Sequence, residues 1–204
     1  MYMSLPDRLT IFPLWVAPAL VLGLLVPLSI LAPRRHRETR RTRFASILLI
    51  AIVNFFNIAS IFLLIHGFLH PVKNVVTTAE DLLLHGVEIW LTNVLVFALW
   101  FWELDGGGPD TRAHATAAHE VRDADFLFPQ MGLMVTGDQP GFMLPTWKPL
   151  FLDYLYVAFT NSTAFSPADT MPLSRLAKML MLLESFISLV TIAVVIARAI
   201  SLIQ

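Results

Sequence analysis

Phe151 to Pro172 reads FLDYLYVAFTNSTAFSPADTMP, an aromatic apolar run that turns polar and breaks at a proline just before the last apolar stretch of the chain. From Leu150 to Phe159 the run amounts to about 15 Å of helix, half of what a bilayer-spanning helix needs. It is long enough to enter a membrane and too short to cross one. Thr160, Asn161, Ser162, Thr163, Ser166 and Asp169 then gather around Pro167, in backbone that a helix cannot use fully. Such backbone is tolerated at membrane depth only where protein or a water-filled cavity satisfies its polar groups. The pattern therefore predicts a half-helix and a polar loop over 149–172, re-entrant rather than spanning.

The rest of the chain supplies the surroundings such an element needs. Of 204 residues 56% are hydrophobic and 14% charged, too apolar for a soluble domain of average composition. Apolar runs at about 10–32, 45–69, 82–102 and 177–203 are each long enough to span a bilayer. The expected architecture is an all-α membrane protein, one integral domain over 1–204, with four transmembrane helices and the half-helix before the last. Pro13, Pro18 and Pro27 predict kinks in the first span rather than breaks. Cysteine is absent, which removes disulfides, thiol catalysis and Cys-based metal sites.

Topology follows from charge. The basic loop 33–44 carries Arg34, Arg35, Arg37, Arg40, Arg41 and Arg43 against Glu38 alone, and by the positive-inside rule it is cytoplasmic. Spans on both flanks argue against nucleic acid as the partner of this run and for lipid headgroups. The same rule places the segment from Leu104 to Arg175 in the cytoplasm, which leaves two readings: the half-helix enters from the inside, or one of the spans is misassigned. The expected location is the bacterial inner membrane, multi-pass.

Several polar groups stand inside the apolar runs. Asn54, Asn57 and Ser60 form one stripe on the second span, read as interhelical hydrogen bonding or pathway lining. Thr78, Glu80 and Asp81 cap the third. Glu88 sits two turns into that span with Thr92 at i+4, and an ionisable residue there is a functional candidate by default. Glu184, Ser188 and Thr191 repeat at i, i+4 and i+7 on the last helix. Trp100 and Trp102 fit an interfacial belt. In the polar loop 104–148, Phe126, Phe128 and Met131 read as an amphipathic stretch on the membrane surface. Asp105, His114, His119, Glu120, Asp123 and Asp125 supply metal-type ligands but without the spacing of a known motif, so neither metal nor cofactor is expected.

The pore-type stretch resembles the pore helix and selectivity filter of potassium channels, onto which it aligns without gaps. Leu155 and Tyr156 stand at the family's Leu-Tyr, Phe159 at a pore-helix aromatic, Thr163 at the first filter threonine, Asp169 at the filter aspartate and Pro172 at the proline that follows. Ala164, Phe165, Ser166, Pro167 and Ala168 replace the Thr-Val-Gly-Tyr-Gly filter. Its glycines let successive carbonyls point at the ion, so potassium selectivity does not carry over. From Trp90 onward the chain also resembles a family of predicted bacterial integral membrane proteins, a domain of unknown function. The shared features are a tryptophan-bearing helix, the turn Gly106 to Gly108, the pair Phe128 and Pro129, the Tyr154, Leu155, Tyr156 helix and an Asp before the last helix.

The resemblance and the residues together lead us to expect a channel-like or ion-transport protein, oligomeric around its last helix and passing a monovalent cation. Thr160, Asn161, Ser162, Thr163, Ser166 and Asp169 would line or gate it, with Glu88 and Glu184 along the path. Asp169 alternatively caps the last helix. The rival expectation is a non-conducting scaffold or accessory subunit of a larger membrane complex that keeps the pore-loop fold without its filter. An enzymatic use of His114, His119 and the loop acids ranks last.

Overall fold

The computed structural model describes residues 40–69, 79–114, 124–131, 147–166 and 169–203. The expected first span at 10–32, most of the basic loop, Thr78, His119, Glu120, Asp123 and Pro167 lie outside the described residues. Within them the chain is mostly helical: α1 (Arg40–Leu69), α2 (Ala79–Leu104), α3 (Pro109–His114), α4 (Phe151–Ala164) and α5 (Arg175–Ile203), with two short strands, β1 (Phe126–Leu127) and β2 (Met171–Pro172). Three helices contain segments long and apolar enough to cross a membrane, Arg43–His66, Leu83–Gly107 and Arg175–Ala197. They fall on the second, third and fourth of the expected spans.

α2 is the central element, packed against α1, α4 and α5. Its second half, including Val94, Val96, Phe97, Ala98, Leu99 and Phe101, is almost wholly buried. α1 and α5 bury one side and turn large apolar side chains outward. Phe55 and Phe62 on α1 are each 67% exposed, and Leu176, Met179, Leu182 and Phe186 on α5 are similarly bare. Exposed apolar surface on this scale is unfavourable in water and suits a lipid solvent.

α2 ends in a turn that only glycine makes cheaply. Gly106, Gly107 and Gly108 have φ of 54°, 81° and 99°, in the region L side chains disfavour. The reversal lays α3 back so that the Arg112 guanidinium sits 4.8 Å from the Trp102 ring and 5.1 Å from that of Tyr154. Arg43 Nη2 donates to the Glu103 carbonyl at 3.3 Å. The basic start of α1 therefore meets the end of α2, and the glycine turn, the strands and the starts of α4 and α5 share that end of the bundle.

β1 and β2 pair antiparallel, Phe126 opposite Pro172 and Leu127 opposite Met171, and the Leu173 N–H extends the ladder to the Asp125 carbonyl at 2.8 Å. This corrects the reading of Phe126, Phe128 and Met131 as a surface stretch. All three are at most 3% exposed. The cause is Asp105, whose Oδ1 accepts from the backbone N–H of Asp125 at 2.6 Å and of Phe126 at 3.1 Å, drawing the strand over the core. There the Phe126 ring lies 5.0 Å from Phe101 and the Phe128 ring 5.3 Å from Tyr154.

α2 and α5 approach closely at Gly86, where a Cβ would stand 2.3 Å from Val195 Cγ2. Gly86→Ala is expected to destabilise the fold by about 1–3 kcal/mol, the usual cost of overpacking, and Val195→Ala in the same chain to recover most of the loss. Thermal unfolding of the single and double variants in detergent measures this.

Candidate functional site

α4 is bounded at both ends by local chemistry. Pro149 and extended Leu150 precede it, and Asp153 Oδ2 accepts from the Leu150 N–H at 2.7 Å, satisfying an orphan donor of the first turn. The helix does not stop at Phe159. It continues through the polar residues to Ala164 and ends at Phe165, φ 54° and ψ 31°, the one described non-glycine with positive φ. Thr160 and Thr163 are accommodated because their hydroxyls bond back to the carbonyls of Tyr156 at 2.9 Å and Phe159 at 2.7 Å.

The buried face of α4 is Tyr154, Val157, Ala158 and Asn161, with Ser162 beside it. Its inner end meets Glu184. This carboxylate is 0% exposed and takes two hydrogen bonds from α4, Asn161 Nδ2 to Oε2 at 2.7 Å and Ser162 Oγ to Oε1 at 3.0 Å. Asn161 Nδ2 also donates to the Met181 carbonyl at 2.9 Å, and Ser185 Oγ to the Asn161 carbonyl at 3.3 Å, meeting one of the acceptors a helix end leaves open. From α2, Asn93 Nδ2 reaches the Glu184 carbonyl and Ser188 Oγ, both at 3.3 Å. Asn57 of α1 joins through Asn93 Oδ1 at 3.5 Å. Four helices thus place polar side chains at one point, and among the described residues no cationic group pairs with Glu184.

The expected site residues divide. Asn161, Ser162 and Glu184 come together; Ser188 and Thr191 are buried on the same helix, Thr191 bonding back to the Ile187 carbonyl at 2.8 Å. Thr163, Ser166 and Asp169 are exposed and Thr160 half-buried. Asp169 Oδ1 accepts from the Thr170 hydroxyl at 3.4 Å, while the cap of α5 is Ser174, whose Oγ accepts from the Ala177 N–H at 3.1 Å. That corrects the alternative of Asp169 as the cap. Glu88 is half-buried on α2, more than a turn from Asn93. Of the polar stripe on α1 only Asn57 reaches the cluster; Ser60 bonds back to the Phe56 carbonyl at 2.9 Å.

A second polar knot holds the outer end of α4. Asp105 Oδ2 accepts from the Tyr154 hydroxyl, Arg112 Nη1 donates to the Asp105 carbonyl, and Lys148 Nζ donates to the carbonyls of Arg112 at 2.7 Å and Ala113 at 2.9 Å. The carboxylate oxygens of Asp105 are thus taken by the Tyr154 hydroxyl and the backbone N–H groups of Asp125 and Phe126. Among the described residues no group of His, Asp and Glu is arranged to hold a metal ion. Sequence reasoning missed Asn93, Arg112 and the tie between Tyr154 and Asp105. Asn93 had a signal, a lone amide deep in an apolar run; the other two depend on the fold of the glycine turn.

The chain matches no family model, no curated protein and no solved structure.

Asn161 is 3% exposed, and its loss leaves Glu184 Oε2 and the Met181 carbonyl without their donor. Asn161→Ala is expected to cost about 1–3 kcal/mol, and Asn161→Gln to recover little, since the longer side chain misplaces the amide. Denaturation midpoints of the two variants in the same detergent test this.

Proposed function

We propose that the chain is a polytopic integral membrane protein that transports ions, with α4 and the loop after it as a re-entrant pore-type element and Glu184 as the ion site. The observation that carries this reading is a fully buried carboxylate met by neutral donors alone, in a helix apolar enough to cross a membrane. A charge kept at such a position is costly and characteristic of ion paths. From Arg175, Glu184 lies roughly 14 Å along α5 at ~1.5 Å per residue, near the middle of a bilayer core about 30 Å thick. The C-terminal end of a broken helix, with its partial negative charge, lies beside it, as in transporters that bind cations between half-helices.

On this reading the end of the bundle bearing Arg43 and Lys148 is cytoplasmic, α4 enters from that side, and the protein lies in a bacterial inner membrane. The apolar outer faces of α1 and α5 meet lipid or further copies of the chain. The left-handed Phe165, followed by Ser166 and Pro167, replaces a glycine filter, so the protein does not select potassium as channels of that type do.

One observation favours the scaffold reading. Thr160 and Thr163 turn their hydroxyls onto their own helix, and Asn161 and Ser162 are engaged within the chain, which leaves few polar groups to line a path.

Flux from purified protein in sealed liposomes separates the two. Wild type is expected to pass potassium, sodium or protons, followed with ion-selective dyes, and Glu184→Gln to reduce the rate at least about tenfold while inserting normally. Wild type and variant equally silent, though folded and inserted, would give the scaffold reading the field.

A further inference from the structure

We infer that the ion accepted at this site is a proton, held by Glu184 and accommodated by Ser162. The inference rests on the reading of Glu184 as the ion site. Two carbonyls, which only accept, fix the orientation of the surrounding amides. The Met181 carbonyl draws the NH2 of Asn161 and the Glu184 carbonyl draws that of Asn93. Asn161 therefore shows N–H, not oxygen, to the carboxylate, and Ser162 shows O–H. A sodium or potassium ion needs a shell of oxygen lone pairs; among the described partners of this carboxylate the Asn161 amide offers only hydrogens, and the rotatable Ser162 hydroxyl alone could add an oxygen. Glu184 is 0% exposed, which leaves a hydrated cation no approach. A proton needs one lone pair, which Oε1 supplies, and almost no room.

Among the described residues the hydrogen bonds to the Glu184 carboxylate come from two neutral side chains of α4, Asn161 and Ser162, while neutral Asn93 of α2 holds the Glu184 backbone carbonyl and neutral Asn57 of α1 holds Asn93. The charged residues Arg43 on α1, Glu88 on α2, Asp153 on α4, and Arg175 and Lys178 on α5 are not among these partners. The ionised carboxylate accepts from both Asn161 and Ser162. When a proton adds to Oε1, the new O–H requires an acceptor, which the Asn161 NH2 cannot be. The Ser162 hydroxyl can reverse, accepting from Glu184 and giving its own hydrogen to the carbonyl one turn back, a bond open to any helical serine. One proton is gained, the carboxylate charge is neutralised, and no other bond changes order.

Isotope-edited infrared difference spectra of the protein in liposomes, with carboxyl-labelled glutamate, test this without relying on flux. The expected result is a protonated-carboxyl band that grows on acid steps, is lost in Glu184→Gln and is indifferent to exchange of sodium for potassium. Because Glu184→Gln can disturb folding, Ser162→Ala and Ser162→Thr are read as well. The alanine is expected to move the band and shift its midpoint by about one pH unit or more, and the threonine to restore both. A labelled-glutamate band that ignores pH, or one abolished by adding sodium or potassium at constant pH, overturns the proposal. A titrating band without any flux retires the transport reading alone, and flux with a silent band retires the proton.

Discussion

A carboxylate surrounded by apolar side chains must be met by hydrogen-bond donors or give up its charge, and much of this fold satisfies that condition at Glu184. Two adjacent residues of α4 meet the two oxygens, so α4 has to remain helical through Ser162 and cannot turn away at the last aromatic. Asn161 divides its amide between Oε2 and the Met181 carbonyl, which fixes α4 against one turn of α5. Asn93 then binds the backbone of that turn from the other side. The central helix is thereby held by polar contacts to α5 directly and to α4 through it, at the level where Val94, Phe97 and Ala98 pack.

The outer knot does for the other end of α4 what Glu184 does for the inner one. Tyr154 and Asn161 stand two turns apart on the buried face, with Val157 and Ala158 between them, the i, i+3, i+4, i+7 pattern of a single helix stripe. The stripe is apolar in the middle and polar at both ends. Apolar packing alone permits a short helix to slide or rotate, because dispersion is non-directional. Asp105 and Glu184, each buried and each accepting from this helix, fix its register and rotation. Aromatic contacts fill the space between, with the Trp102 ring 5.6 Å from Tyr154 and the Trp90 ring 5.6 Å from Phe159.

What could be read from the chain follows from which interactions are local. The three described long helices were legible because length and apolarity act within each segment. So was the stripe of Glu184, Ser188 and Thr191, since helical spacing alone sets it. The role of Asn161 against Thr160 and Thr163 was not, because four consecutive polar residues point in every direction until a helix phase is chosen. That phase was present in Tyr154, Val157 and Ala158, but the polar run read as the end of the helix. Phe126, Phe128 and Met131 were misplaced for another reason: an apolar triplet in a loop has the same pattern on a membrane surface as under a strand, and only Asp105, some twenty residues upstream, decides between them. Asp169 resembled a cap by composition, whereas Ser174 stands at the right distance from the helix start.

Chain length limits how far α4 can run. The 14 residues of α4 rise about 21 Å, and the strand pairing returns Met171 to the end of the bundle where α4 began. Phe165 to Met171 reach at most about 23 Å when fully extended. The return segment thus has little length to spare. Phe165 ends α4 in a left-handed conformation that costs an L residue roughly 1–2 kcal/mol. The same shortness keeps Asn161 and Ser162 at the level of Glu184. The segment between α4 and β2 is therefore first a tether, and its length, more than its polar side chains, limits what α4 can touch.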